Sequence, residues 1–287
     1  MAFGSNHVTT SVANNFIPEL WSDEVVGAYK SNLVLANLVT KLSHKGKKGD
    51  TIHIPKPTRG AASAKAANTM VTLSAATNSV VDISINKHYE YTKLIEYIAD
   101  VQALASMRKF YTEDAGYALA TQVDDDLFTA AQALNGGTAV SGSTGTAVTA
   151  AAITDAGIRK MILTLDNNDV PMDGRALVLP PVAASTLLGL ERFTEQAFIG
   201  SGDAIKTGKI GNIYGMEVFV SSNCPTVSTS RVGIMLHKDA IVLAEQVGVR
   251  TQTQYKQEYL GDLFTADTIY GVGELRDDAG IPFVVPA

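Results

Sequence analysis

Three consecutive acids, Asp124-Asp125-Asp126, are the residues of this 287-residue chain whose type and closeness first suggest chemistry. Carboxylates grip divalent cations, but only when they converge. On a helix Asp124 and Asp126 point about 200° apart, so one ion cannot be held from one face. The run reads as a solvated acidic face, which would also serve as a landing site for a basic segment. The five histidines, His7, His44, His53, His88 and His237, show no zinc spacing of the H-E-x-x-H kind. His88 and Glu90 share one face of an alternating run, without a third ligand nearby. Neither a metal nor a cofactor is expected.

Nucleotide and nucleophile chemistry fare no better. Between Gly202 and Gly208 lie five residues where a phosphate-cradling loop has four, and Ile210 follows Lys209 where Ser or Thr is required. Gly271-Val272-Gly273 lacks the third glycine of a dinucleotide fingerprint, and no helix pattern follows it. There is no G-x-S-x-G elbow. Cys224, the single cysteine, excludes an intramolecular disulfide framework and reads as structural filler between Asn223 and Pro225. The expectation is a protein that is not an enzyme, with a soluble α+β enzyme as the rival from another class.

The elements that carry these residues begin with a polar segment over 1–15 and a helix over Pro18 to Lys30, with Leu20, Trp21, Val25 and Tyr29 at helical spacing. An apolar patch over 33–39 precedes the Gly46-Lys47-Lys48-Gly49-Asp50 turn. Leu119, Val123, Leu127, Ala131 and Leu134 form one apolar stripe within Ile98 to Leu134. From Phe110 to Leu134 that helix would be about 37 Å long at 1.5 Å per residue. A Gly/Ser/Thr-rich loop follows. Beyond Ile153 come short helices at Ile158 to Leu165, Val182 to Leu190 and Phe193 to Ile199. Strands are expected at Ala176 to Leu179, Met216 to Val220, Arg231 to Leu236 and Ala240 to Ala244, with alternating strand material from Val249 to Val285. The fold class is α+β, without the regular repeats of a doubly wound sheet.

Thr51 to Tyr91 stands apart. Alternating limbs open and close it, and between them lie about two dozen mostly small or polar residues with little to bury. Ordering about 20 of them costs on the order of 20–40 kcal/mol of backbone entropy. At about 25 cal/mol per Å², offsetting that takes roughly 800–1,600 Å² of apolar burial, the size of an ordinary protein interface. The limb is either a floppy surface loop or laid across another subunit. Charge points the same way. Residues 41–65 hold seven Lys and Arg against Asp50 alone, a net of +6, leaving −12 on the rest of a chain whose total is −6. The net −6 argues against a general nucleic-acid binder, and a basic arm on an acidic body suggests attraction between copies. DNA contact is the weaker competing reading, because aromatic interleaving is missing and the remainder is acidic. The residues expected at inter-subunit contacts are Lys56, Arg59 and Lys65 in the arm and Asp124, Asp125 and Asp126 on the long helix.

No apolar run approaches the 18 or so residues that span a bilayer, and residues 1–30 lack the basic and apolar regions of a secretory signal. The expected location is therefore a cytoplasm, with no membrane partner.

The run Thr207-Gly208-Lys209-Ile210-Gly211-Asn212-Ile213-Tyr214-Gly215-Met216-Glu217-Val218-Phe219-Val220-Ser221-Ser222-Asn223 resembles a stretch common in the major capsid (coat) proteins of tailed bacteriophages, which have the Hong Kong 97-type fold. Asp239 to Ala244, Tyr270 to Leu275, Ile17 to Trp21 and Val123 to Leu127 follow or precede it in the matching order. The resemblance implies an N-terminal arm over 1–46, an extended loop over 47–90, and a peripheral domain with the long helix over 91–151. An axial domain over 152–245 follows, and C-terminal strands over 246–287 complete the peripheral domain and return toward the axial one. It further implies self-assembly through hexamers and pentamers into an icosahedral head shell, made in the host bacterial cytoplasm and ending in the virion. Double-stranded DNA would be enclosed but not specifically bound. Scaffolding, portal and decoration proteins are candidate further partners. An encapsulin-like nanocompartment shares the fold and is the nearer rival.

Overall fold

The structure is a computed structural model that describes residues 34–45, 48–57, 60–71, 73, 78–96, 107–146, 149–190 and 211–287. A single turn of helix, α1 (Leu35–Leu38), leads into β1 (Thr40–Ser43). The hairpin β2 (Thr51–Pro57) and β3 (Asn78–Ser84) comes next, followed by β4 (Lys87–Glu96) and the long helix α2 (Met107–Ala133). Then come β5 (Val140–Ser141), α3 (Asp155–Asn167), β6 (Arg175–Leu179) and α4 (Pro181–Leu188). From residue 211 the chain is strand: β7 (Asn212–Ile213), β8 (Met216–Val220), β9 (Thr226–Val227), β10 (Ser230–His237), β11 (Ile241–Lys256), β12 (Gly261–Glu274) and β13 (Gly280–Pro286).

Two sheets organise the chain. The first has four strands in the order β1-β11-β12-β4, with β1 parallel to β11 and the other pairs antiparallel. Helix α2 is part of its core: Leu127, Phe128, Ala131 and Leu134 pack with Leu35, Ile241, Leu243 and Tyr270. Nearer the start of α2, Ala115 and Leu119 meet Phe264 and Ala266. The predicted stripe is thus buried, Val123 only partly. The second sheet has seven strands, β5-β13-β10-β6-β8-β7 with β9 paired to β10. Ile158, Met161 and Leu165 of α3 and Leu187 of α4 cover it. Thr154 caps α3, its hydroxyl accepting the Gly157 N–H at 3.2 Å. Pro181 opens α4, where a missing N–H costs nothing.

Several boundaries differ from the sequence reading. Thr40–Ser43, placed within the N-terminal arm, pairs with β11. Residues 87–90, placed in the extended loop, begin β4 and pair with β12. The strand expected to end at Ala244 runs on to Lys256, because β12 pairs with it along most of that length. The helices expected at Pro18 to Lys30 and Phe193 to Ile199, the Gly202 to Lys209 loop and Arg59 lie outside the described residues.

Candidate subunit-contact surface

The arm is a hairpin whose two halves behave differently. Its stem pairs β2 with β3 from Thr51↔Ser84 to Pro57↔Asn78, and His53 Nδ1 meets the Asp82 carboxylate across it at 2.5 Å. The expectation of almost nothing to bury is corrected at the base. Ile83 and Ile85 are buried against Val242 and Ala244, with Leu42, Ile52, Ile54 and Val81 packed around them. Alternation had put these side chains on one face, and that face lies on the chain's own sheet.

The Gly271-Val272-Gly273 run is the seat for that contact. A Cβ on Gly271 would fall 2.4 Å from the Ser84 carbonyl oxygen, and one on Gly273 3.0 Å from Ile83 Cγ1. Glycine here permits backbone to approach backbone. Sequence reasoning weighed these residues as a nucleotide fingerprint and as part of the capsid-protein resemblance; their two-residue spacing inside a strand, which puts both on one face, was the available signal for close approach.

Beyond the stem, residues 60–71 and Leu73 are all exposed. Met70 is 93% exposed, Val71 67% and Leu73 92%, three large apolar side chains in solvent.

The charged residues singled out from sequence separate. Lys65 is exposed on the distal arm. Lys56 stands beside its own body, lining a polar pocket of 220 Å³ with Asp169, Asp239, Arg276 and Asp278. Burial raises the Glu274 carboxyl above its ordinary range, Asp277 adds to that, and the nearby Lys56 opposes it. Lys45 of the basic window likewise pairs within the chain, with Glu245 at 2.8 Å.

The acidic triplet is not a solvated face: only Asp125 is exposed. Asp124 is fully buried, accepting the Leu35 N–H at 3.0 Å and the Asn223 side-chain amide at 3.3 Å. Val34 cannot cap α1, so a carboxylate 89 residues away does so. Burial raises the Asp124 carboxyl above its usual range despite these hydrogen bonds. Asp126 accepts the Tyr270 hydroxyl at 2.7 Å and pairs with Lys87 Nζ at 3.0 Å. Burial first, then Asp126, pushes the Tyr270 hydroxyl well above its ordinary value. The 200° separation that ruled out chelation sends the two outer acids into opposite flanks of a helix covered on both sides.

Farther along the sheet Asp267 accepts both Arg250 Nε at 2.7 Å and Nη2 at 2.8 Å, with His88 Nε2 at 3.2 Å. The Arg250 hydrogen bonds hold its carboxyl below the usual range. Cys224 is buried, and burial pushes its thiol up to about 12. Among the described residues no group of three or more His, Cys, Asp or Glu could hold a metal ion. The described surface presents an anchored stem, an exposed apolar and basic tip, and exposed acids on α2 at Glu113 and Asp125.

A family model described as phage capsid protein matches residues 95–281. The chain is similar to a solved structure from Mycobacterium phage Che8, at 26% identity over 94% of this chain and 97% of that one, with a TM-score of 0.79. It shares its fold with the capsid of cyanophage P-SCSP1u, at 20% identity, 98% and 96% coverage and a TM-score of 0.79. The same holds for the head of Helicobacter pylori bacteriophage KHP40, at 13% identity, 99% and 99% coverage and a TM-score of 0.74. No curated protein matches the chain in sequence.

Proposed function

Since the chain belongs to the phage capsid protein family and is a major capsid protein forming a head shell, we propose that copies join by laying residues 60–71 and Leu73 of the arm over a neighbouring subunit. The shell is icosahedral, built of hexamers and pentamers, and encloses the double-stranded DNA of a tailed bacteriophage. It assembles in the host cytoplasm.

One observation carries this reading: Met70, Val71 and Leu73 sit in solvent on an arm whose stem is fixed to the body. Covering them and their neighbours on a second copy supplies the burial that the distal arm lacks alone. Charge orients the contact. Lys65 and Arg59 are the arm cations assigned to it, and Asp125, the exposed member of the acidic triplet, receives them. Lys56 serves the stem, and Asp124 and Asp126 serve the fold. The acidic remainder of the chain limits adhesion of DNA to the shell during packaging.

The test replaces Met70, Val71 and Leu73 together with serine. Because all three are exposed, the chain should melt as the wild type does. Shells should disappear from negative-stain micrographs and from sedimentation profiles. Normal shells from the triple variant would overturn the arm's role. Shells purified with an enzyme inside in place of DNA would instead favour a nanocompartment.

A further inference from the structure

Asn135-Gly136 is the single Asn-Gly step in the chain, and it lies just past the end of α2. In such a step the glycine's backbone nitrogen can attack the preceding side-chain amide, because no Cβ crowds its approach. The bond from Gly136 N to Asn135 Cγ forms and the Cγ–Nδ2 bond breaks. Ammonia leaves, carrying the proton that the nitrogen gives up. Water then opens the succinimide at either carbonyl, leaving aspartate or isoaspartate.

Water reaches the step, since Gly136 is exposed and Asn135 only partly buried. Both reacting groups are nevertheless tied down. The Gly136 N–H donates to the two carboxylate oxygens of Asp277, at 2.8 and 3.1 Å. Asn135 Nδ2 donates to the Thr138 carbonyl at 2.8 Å, and the Asn135 N–H to the Asp277 carbonyl at 3.2 Å. Attack requires the Gly136 nitrogen to shed its proton and swing toward Cγ. A carboxylate on that N–H opposes both movements. It disfavours a second negative charge beside it, and its charge-assisted hydrogen bonds must break first. A bond of that kind lowers the open population about tenfold or more. The product would lose the donor to Thr138 and set a new carboxylate beside Leu134, which is fully buried. We propose that Asn135 is a spontaneous deamidation site that Asp277, brought from the turn Asp277–Ala279, holds shut.

Peptide mapping of the full chain after incubation at mildly alkaline pH separates asparagine, aspartate and isoaspartate at position 135. Asp277→Ala should raise conversion about tenfold, toward the rate of the urea-unfolded wild type. Asp277→Asn keeps an acceptor oxygen without the charge and should fall between. The Asp173-Gly174 step can form the same ring by losing water, and it should isomerise at one rate in all three chains. Conversion unchanged in Asp277→Ala would overturn the guard, and slower conversion would make the carboxylate a base instead. A rise at both steps would mean general loosening and would overturn the guard as well.

Discussion

Asp124→Ala is the sharpest test of how the long helix is built into the fold. The carboxylate is fully buried and receives the Leu35 N–H at 3.0 Å, the first donor of α1. Alanine leaves that N–H buried without an acceptor, at a cost of about 1–3 kcal/mol. The lost carboxylate volume adds about 1 kcal/mol. Asn223 is only partly buried and can turn its amide to water, so its bond adds little. The sum is about 2–4 kcal/mol. For a chain of this size each kcal/mol shifts the melting midpoint by roughly 2–4 °C, so the midpoint should fall by about 5–15 °C. Asp124→Asn keeps an acceptor oxygen for Leu35 and should lose less than half as much. Asp125→Ala, at the exposed position, should move the midpoint by no more than about 1 °C. Circular dichroism melts of the unassembled chain, at one protein concentration, give all three values. If alanine at 124 cost no more than asparagine, or alanine at 125 cost as much, the buried-cap account would be wrong.

Two further outcomes follow from contacts described above. Gly271→Ala drives a Cβ to 2.4 Å from the Ser84 carbonyl oxygen and should destabilise by about 1–3 kcal/mol, whereas Gly116→Ala, with nothing within 4 Å on an exposed helix face, should stabilise by about 0.5–1 kcal/mol; equal melts would refute the seat. Asp267 has a carboxyl lowered first by its hydrogen bonds to Arg250, so its contribution is present above the unfolded value of about 3.9 and is lost as pH falls through the lowered folded one. Asp267→Asn should therefore be less stable than the wild type at neutral pH and converge with it in acid, as urea midpoints across pH will show; a constant gap would contradict the pairing.

Much of the fold was legible because burial wrote it into the chain. Helix α2 was expected within Ile98 to Leu134 and is described over Met107–Ala133, its stripe buried as the periodicity required, Val123 only partly. The strand Met216–Val220 was placed residue for residue. The outer half of β11 was not separable from its neighbours, since Arg250 to Tyr255 are exposed on both faces and main-chain pairing with β12 holds them. At the contact surface the arm was visible as a long stretch poor in large apolar residues. The acids misled, because three adjacent carboxylates look solvated until α1 and β12 are known to cover both flanks of the helix. Their neighbours Val123, Leu127 and Phe128 were the sign of a buried setting. The setting of Lys56 was not legible either: it is exposed but lines a pocket with residues more than a hundred positions away.

The glycine seat makes the hairpin a lever. Where the arm crosses β12 there is no side chain to yield, so the stem follows any change in the twist of the strand beneath it. A seven-residue limb is about 23 Å long at 3.3 Å per residue, and a tilt of about 10° at its root displaces the far end by about 4 Å. Bending in one copy is thereby delivered, magnified, to whatever surface the far end touches.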